Sequence, residues 1–193
     1  MNFSLSNFRP VNPSFRFGTA KIRTFSLPPN FFEEIFEKVD LSRKTLREWL
    51  SWVDGTKRPE DRYSWLVNGA QKNWETGEGY AYLIRDKKTH ALLGVIDLVD
   101  CSEKHKSAEI GYWLSDDAVG RGYMTEAVQA LETTAFKKGL NRIVIRTDTK
   151  NVRSDNVPKR CVYNLEGTLH SCKWDAVHKR FADIHVWAKL KAE

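Results

Sequence analysis

Two glycines separated by one residue, Gly120 and Gly122, lie between an apolar run over 108–114 and an amphipathic segment that begins near Thr125. When a strand passes through a glycine-bearing loop into a helix, the backbone N–H groups at the helix start lack partners and can hold an anion. The loop is therefore a candidate phosphate site, although two spaced glycines also make an ordinary tight turn. Arg121 between them is either a cation that attracts phosphate or an exposed loop arginine.

The segment after the glycine loop has the pattern of a helix. One face is apolar at helical spacing, and the opposite face is polar and charged. The apolar positions are Met124, Ala127, Val128, Leu131 and Ala135. Thr125 is a suitable N-cap, and Gly139 can adopt the left-handed conformation that ends a helix. The loop is thus expected to lead directly into a helix.

The rest of the chain predicts helices and strands around this unit. Helices are expected within 27–77: one after Asn30, one from a Ser42 cap to Val53, and one that starts at Pro59. The apolar face of the third is Tyr63, Leu66, Val67, Ala70 and Trp74. Strands are expected within 15–25, at 80–85 and 91–99 as a hairpin, and at 108–114, 142–147, 167–173 and 181–190, with a short helix near Val157. Residues 1–14 predict an irregular arm. Hairpins combined with a strand–helix–strand crossover predict a single α/β domain with a mixed sheet.

Composition limits the class of protein. The chain has 193 residues, 41% of them hydrophobic, which suffices for one core. A formal net charge of +6 permits an anionic partner such as a nucleotide cofactor, a nucleic acid or a ribosomal surface, without choosing among them. No run approaches the roughly 20 apolar residues of a membrane span, and signal-peptide features are absent, so a cytoplasmic protein is expected. Three dispersed cysteines, Cys101, Cys161 and Cys172, argue against a disulfide framework.

Two motifs at matching spacing resemble the GNAT acyltransferase superfamily, and within it the ribosomal-protein N-terminal acetyltransferases of the RimJ/RimL type. The first motif is Val119, Gly120, Arg121, Gly122, Tyr123 and Met124, where Val119 replaces a polar residue and Met124 a small one. The second consists of Asn151, Ser154, Val157, Arg160, Tyr163, Glu166 and Gly167, and here Val162 replaces a glycine. The resemblance is strong over about residues 90–190.

The resemblance implies a GNAT fold with a mixed, mostly antiparallel sheet whose central strands splay apart, and acetyl-coenzyme A as cosubstrate without a metal. Residues 108–167 would form the acetyl-coenzyme A core and 27–77 the substrate-side helices. The implied cofactor-binding residues are Tyr112, Trp113, Leu114, Val119, Gly120, Arg121, Gly122, Tyr123, Met124, Thr125 and Asn151. A backbone N–H of the strand near 112–114 would face the acetyl oxygen.

The same resemblance suggests the groups that move protons. Glu109 lies where superfamily members often place a general base, and Asp97 on the neighbouring strand is a weaker rival. Glu109 could instead be a strand glutamate paired with an arginine. Many members protonate the leaving thiolate with a tyrosine at the position of Pro158, so Ser154, the subfamily's alternative, is the candidate acid. Ser154 could equally cap the short helix, with Pro158 in its first turn.

The expected activity is direct acetyl transfer to an amine. The favoured acceptor is the N-terminal amine of a protein, for example a ribosomal protein. The alternative acceptor is a small amine or an antibiotic. A coenzyme A-binding regulatory or ribosome-associated module with little turnover is the third possibility, and a homodimer stays open. His170, His178 and His185 have no metal-ligand spacing, with or without Cys172. Lys104, His105 and Lys106 fit a solvated turn better than a nucleic-acid patch, so no direct nucleic-acid contact is expected.

Overall fold

A computed structural model describes residues 14–17, 20–24, 31–62, 69–70 and 72–192. Its eight strands form one sheet in the order β1-β2-β3-β4-β5-β6-β8-β7. The strands are β1 (Ser14–Phe17), β2 (Ala20–Thr24), β3 (Tyr80–Asp86), β4 (Leu92–Ser102), β5 (Ser107–Leu114), β6 (Arg142–Asp148), β7 (Asn164–Asp175) and β8 (Arg180–Leu190). The helices are α1 (Phe31–Leu41), α2 (Arg43–Leu46), α3 (Lys72–Thr76), α4 (Tyr123–Lys137) and α5 (Val152–Arg160). The predicted mixed α/β fold is confirmed.

The centre of the sheet opens between β5 and β6. These strands are parallel and pair only over Ser107↔Arg142, Ala108↔Ile143 and Glu109↔Val144, whereas every other neighbouring pair is antiparallel. Beyond Glu109, β5 continues to Leu114 paired only with β4. The backbone groups on its other edge therefore face the gap, which confirms the splayed central strands.

Each face of the sheet has its own hydrophobic core. On one face α4 and α5 bury Ala127, Val128 and Val157 against Ile110 and other residues of β3 to β6. On the other face α1 and the segment after it bury residues against β3 and β4, among them Ile35, Val39, Leu46, Val53, Leu83 and Val95. Strand β5 contributes Ala108, Ile110, Tyr112 and Leu114 to the first core and Trp113 to the second. The side chains of β5 therefore alternate between the two faces of the sheet.

Helix α4 begins two residues earlier than Thr125. Its N-cap is Gly122, which has a φ of 79° and provides no side-chain cap, so the prediction of Thr125 as the cap is wrong. The helix can start there because glycine adopts positive φ without steric strain. At the other end Gly139 has a φ of 108°. The predicted left-handed end of the helix is confirmed.

The substrate-side segment is more broken than the sequence predicts. The helix expected from Ser42 to Val53 is the single turn α2 followed by a 3-10 turn at Ser51–Val53. Ser42 is the N-cap residue of α2 as predicted, but its side chain makes no capping hydrogen bond. Its hydroxyl accepts a hydrogen bond from the Asp116 N–H instead. The helix expected from Pro59 is a 3-10 turn at Pro59–Arg62 and, later, α3. The predicted apolar residues Tyr63, Leu66 and Val67, and the arm over 1–13, lie outside the described residues, while Ser14 already belongs to β1.

Helix α5 also starts differently from its prediction. Asn151 is its N-cap, and the Asn151 side chain accepts a hydrogen bond from the Ser154 N–H. Ser154 lies inside the helix, and Pro158 is in its interior rather than in its first turn. The prediction for Pro158 is therefore wrong. Among the described residues, no helix is both long and apolar enough to cross a membrane.

Candidate active site

A cleft of about 1190 Å³ runs along the gap between β5 and β6. The cleft-lining residues predicted from the sequence are Glu109, Tyr112, Trp113, Leu114, Val119, Gly120, Gly122, Tyr123, Met124, Thr125, Asn151 and Ser154. Arg121 does not line the cleft and is exposed. The structure thus brings together both proposed catalytic residues and ten of the eleven proposed cofactor residues. The separation of β5 from β6 creates this space, because a fully paired sheet would leave no gap.

The glycine loop presents open backbone to the cleft. Gly120 and Gly122 both have positive φ, 78° and 79°, and a Cβ built on either would meet nothing within 4 Å. Glycine is therefore required at both positions by the backbone conformation and not by a lack of space for a side chain. Consecutive amides in such a turn, followed by the start of a fifteen-residue helix, form a concave donor surface suited to phosphate.

The start of this loop is held by residues of the substrate-side segment. The Asp116 N–H donates to the buried Ser42 hydroxyl at 2.8 Å, and the Thr45 hydroxyl donates to Asp116 Oδ2 at 3.0 Å. Lys38 Nζ forms an ion pair with Asp117 Oδ2 at 2.5 Å. Three contacts from one segment therefore fix the turn that precedes Val119, although more than 70 residues separate the partners along the chain.

The end of the loop is held by the opposite hairpin. The Tyr123 hydroxyl donates to Asp86 Oδ2 at 3.0 Å, where Asp86 ends β3. Hydrogen bonds from the backbone N–H groups of Thr89 and Lys88, and then from Tyr123, lower the pKa of Asp86 to about 2. The first residue of α4 is thus tied to an ionised carboxylate, and the loop is anchored at both ends.

Glu109 lies in the cleft next to a guanidinium. Its Oε2 is 3.2 Å from Arg146 Nε on β6; the Glu109 side chain is 20% exposed and that of Arg146 54%. Burial raises the pKa of Glu109, the charge of Arg146 opposes this rise, and the nearby carboxylates of Asp100 and Asp97 add to it. The predicted pairing of Glu109 with an arginine is therefore confirmed, and its role as the base stays a prediction. The sequence analysis missed Arg146, because only the parallel register of β5 and β6 brings the two residues together.

Asp97, the weaker rival for the base, does not line the cleft. It pairs with Gly111 across β4 and β5, and a Cβ at Gly111 would come within 2.4 Å of its Oδ1. Burial raises the pKa of Asp97 to about 6, against the opposing effect of a hydrogen bond from the Gly111 N–H. The Asp97 carboxylate therefore accepts a hydrogen bond from the sheet backbone at Gly111, and Glu109 is the better placed of the two to act in the cleft.

Ser154 and Tyr112 meet across the cleft wall. The Tyr112 hydroxyl donates to the backbone carbonyl of Ser154 at 3.0 Å, and the Ser154 hydroxyl donates to the Tyr112 oxygen at 3.3 Å. Burial raises the pKa of Tyr112, which therefore remains a neutral hydroxyl near neutral pH. Tyr112 and Ser154 line the cleft together with Asn151. The sequence predicts a backbone role for Tyr112 but does not reveal this contact of its side chain.

Asp155 fixes the other side of α5. Its Oδ1 accepts hydrogen bonds from Thr147 at 2.8 Å and from Trp187 at 2.9 Å, and lies 2.8 Å from His185 Nδ1, while Lys159 is 2.6 Å from Oδ2. Burial raises the pKa of Asp155, but the hydrogen bonds from these four partners outweigh it and lower the pKa to about 2. One buried carboxylate thus joins α5 to β6 and β8 directly behind Ser154.

The far end of the cleft is formed by two segments that the sequence analysis did not assign to the site. Thr45, Glu48 and Trp49 line it from the α2 side, and residues 172–177 line it from the β7–β8 hairpin. The Trp49 and His178 rings meet at a centroid distance of 5.9 Å. The two walls therefore touch at this pair of rings. Alternation alone could not reveal this contact, because 129 residues separate Trp49 from His178.

The three histidines considered for a metal site are dispersed. His170 is near Asp183, His178 near Asp175, and His185 near Asp155. Across the described residues, no group of three or more histidine, cysteine, aspartate or glutamate side chains is arranged to hold a metal ion.

A mixed sheet that splays beside a glycine loop and the start of its central helix is the architecture of an acetyltransferase fold. Residues 29–163 match the family model of the acetyltransferase (GNAT) domain, and the chain belongs to this family. It is 26% identical over 162 residues to the ribosomal-protein-serine acetyltransferase of Escherichia coli (strain K12), covering 83% of this chain and 88% of that one. It is 28% identical over 169 residues to YdaF of Bacillus subtilis (strain 168), named provisionally as a ribosomal N-acetyltransferase, covering 86% and 90%.

Solved structures share the fold. RimL, a ribosomal-protein alpha-N-acetyltransferase in complex with coenzyme A, superposes with a TM-score of 0.81 at 24% identity and covers 90% of this chain and 95% of its own. The microcin self-immunity acetyltransferase MccE, in complex with acetyl-CoA and AMP, superposes with a TM-score of 0.82 at 20% identity, covering 90% and 93%. The chain is therefore a GNAT N-acetyltransferase.

Proposed function

We propose that the acceptor is the N-terminal amine of a ribosomal protein, which would place the reaction in the cytoplasm. Two relatives that align over more than four fifths of this chain have ribosomal acetyltransferase names. A shared fold does not determine the acceptor, so the proposal also needs a site that can use an amine. The observation that carries it is the half-buried carboxylate of Glu109 inside the cleft, beside the gap between β5 and β6.

The glycine loop is proposed to bind the pyrophosphate of acetyl-coenzyme A. Gly120 and Gly122 leave the backbone accessible, and the positive end of the α4 dipole follows directly. Val119 supplies no polar side chain, so backbone amides provide most of the donors. The exposed Arg121 adds attraction at a distance rather than a contact inside the cleft. Asn151, at the start of α5, is proposed to use its side-chain N–H on the pantetheine or acetyl end while its oxygen caps the helix.

The amine must lose its charge before it attacks. Glu109 is proposed as the base that accepts a proton from the acceptor ammonium, directly or through water. The amine lone pair then forms a bond with the acetyl carbonyl carbon, and a backbone N–H of the unpaired β5 edge near 112–114 stabilises the oxyanion. As the carbon–sulfur bond breaks, the Ser154 hydroxyl donates its hydrogen to the sulfur, and the nitrogen of the tetrahedral intermediate releases its second proton to water. Water then reprotonates Ser154, and Glu109 passes the proton it accepted to solvent. The products are the N-acetylated amine and coenzyme A.

Release of free thiol from acetyl-coenzyme A tests the acceptor. The panel contains peptides with the N-terminal sequences of ribosomal proteins, the same peptides with a blocked N-terminus and a free lysine, and small amines including aminoglycosides. Mass spectrometry locates the acetyl group on each product. Turnover only with free N-termini is the expected result.

Other outcomes distinguish the alternatives. Faster turnover of small amines than of every peptide would replace the proposed acceptor. Acetyl-coenzyme A binding without turnover of any amine would favour a binding module. A Glu109→Gln variant that keeps the wild-type rate at every pH would remove Glu109 from the mechanism, whichever acceptor is used.

A further inference from the structure

Pro158 creates an unusual vacancy in the hydrogen bonding of α5. In a regular helix the N–H of each residue bonds to the carbonyl four residues earlier. Pro158 lies inside α5 and has no N–H, so the carbonyl of Ser154 lacks its usual helical donor. An unpaired buried carbonyl is unfavourable, and a substitute donor is expected.

The substitute donor comes from the sheet. Tyr112 on β5, 42 residues earlier, donates its hydroxyl to the Ser154 carbonyl at 3.0 Å. The Tyr112 ring packs against the core under α4 and α5, which limits where its hydroxyl can reach. The Ser154 hydroxyl lies 3.3 Å from the same Tyr112 oxygen. One side chain therefore contacts both the main chain and the side chain of Ser154.

The Ser154 backbone is thus held from both sides. Its N–H donates to the Asn151 side chain at 3.1 Å, and its carbonyl accepts from Tyr112. The next residue, Asp155, joins the helix to β6 and β8. A side chain whose backbone is fixed in this way has a defined direction, which is what a group acting on a leaving atom needs.

We propose that Tyr112 is a positioning residue that replaces the missing amide of Pro158 and thereby directs the Ser154 hydroxyl toward the thioester sulfur. The inference rests on the role given to Ser154 in the proposed function. Its special feature is the match between Pro158 and Tyr112: the Ser154 carbonyl inside α5 can accept either from a backbone N–H at position 158 or from a hydroxyl at position 112. The two positions should therefore be energetically coupled.

The test is a double-mutant cycle of Tyr112→Phe and Pro158→Ala in the full chain. Tyr112→Phe leaves the Ser154 carbonyl unpaired, and kcat should fall roughly tenfold with little change in KM for acetyl-coenzyme A. Pro158→Ala restores a backbone donor, so the double variant should return to within about twofold of the kcat of Pro158→Ala alone. Tyr163→Phe is the matched control, since Tyr163 is a buried tyrosine that does not line the cleft, and its kcat should stay near that of the wild type.

Three kinetic results would overturn the inference. A double variant as slow as Tyr112→Phe would mean that the tyrosine hydroxyl itself acts on the reacting atoms. A wild-type kcat in Tyr112→Phe would remove the residue from positioning altogether. An equal loss of kcat in Tyr163→Phe would mean that general loosening of the core causes the effect.

Urea unfolding of the wild type, the two single variants of the cycle and the double variant measures the coupling between positions 112 and 158 without any acceptor. Tyr112→Phe should lower the unfolding midpoint more when Pro158 is present than when Ala occupies the position, and equal shifts would contradict the inference. A Ser154→Ala variant with wild-type kcat would instead reject the role of Ser154 in the proposed function. If Tyr112→Phe alone fails to fold while the double variant folds, the coupling is shown directly.

Discussion

Replacing Arg146 by glutamine should selectively slow the reaction at acid pH. Arg146 Nε is 3.2 Å from Glu109 Oε2, and its positive charge lowers the pKa of Glu109. Burial of Glu109 and the nearby carboxylates of Asp100 and Asp97 raise that pKa. Lys173 lowers the pKa from the β7 side as a smaller contribution. Removing the guanidinium leaves the raising effects in place. The pKa of Glu109 should therefore rise further, and less of the base should be ionised at a given acid pH.

The distance and the exposure set the size of the effect. At 3.2 Å two unit charges attract by about 1 kcal/mol in a water-like dielectric and by about 5 kcal/mol at an effective constant of 20. Because the Arg146 side chain is 54% exposed, solvent screening makes about 1 kcal/mol the appropriate value. This corresponds to about a fivefold fall in the ionised fraction of Glu109 below its pKa, and to no change well above it.

The assay compares kcat/KM of Arg146→Gln with that of the wild type from pH 5 to 9, at saturating acetyl-coenzyme A. The acceptor amine titrates in the same way for both proteins, so the ratio isolates the enzyme. The ratio should be constant at high pH and about fivefold lower at the acid end. Arg142→Gln is the matched control on the same strand, because Arg142 pairs with Glu166 outside the cleft, and its ratio should not vary with pH.

A flat ratio for Arg146→Gln, or one that rises toward acid pH, would refute the argument. Arg146→Lys keeps the charge and should restore most of the acid-limb activity. In a Glu109→Gln background the pH dependence of the Arg146 substitution should disappear, because no titrating carboxylate remains for the guanidinium to influence.

Three further predictions concern the loop, the buried carboxylate and the sheet. Gly122→Leu should weaken acetyl-coenzyme A binding about tenfold by calorimetry, because a leucine is strained at the φ of 79° found there. Gly167→Leu, at an open position without positive φ, is the control and should bind acetyl-coenzyme A normally. An unchanged dissociation constant in Gly122→Leu would count against the loop assignment. The pKa of Asp155 is lowered to about 2, so the ionised carboxylate stabilises the folded protein fully above about pH 4, and this stabilisation is lost as the pH falls toward 2. In urea unfolding, Asp155→Asn should therefore lower the free energy of unfolding by about 2–3 kcal/mol at pH 7 and by less at acid pH. A loss of the same size at every pH would contradict this. Gly94→Ala should destabilise the fold by more than about 2 kcal/mol, since a Cβ there would lie 2.2 Å from the backbone oxygen of Trp113; a wild-type melting temperature would show that the strands separate easily.

The local pattern of the sequence was sufficient for α4, for β5 and for the glycine loop between them. The helical period from Met124 to Ala135 and the alternation along β5 each depend on neighbours within a few residues, and both are observed. The glycine loop was identified for the same reason, because positive φ is a property of single residues. Helix starts were less certain. Ser42 and Thr125 have the chemistry of caps, yet their hydroxyls are used by distant partners, the Asp116 N–H and Arg160 Nε.

The working arrangement of the site depended on tertiary structure. Glu109 meets Arg146 only through the parallel register of β5 and β6, and Tyr112 reaches Ser154 only because Pro158 leaves that carbonyl without a helical donor. Trp49 and His178 close the far end of the cleft from opposite ends of the chain. A sequence pattern specifies how each residue faces within its own element. Which faces then meet is decided by the packing of the whole sheet, and in this protein that packing determines the partners of both proposed catalytic residues.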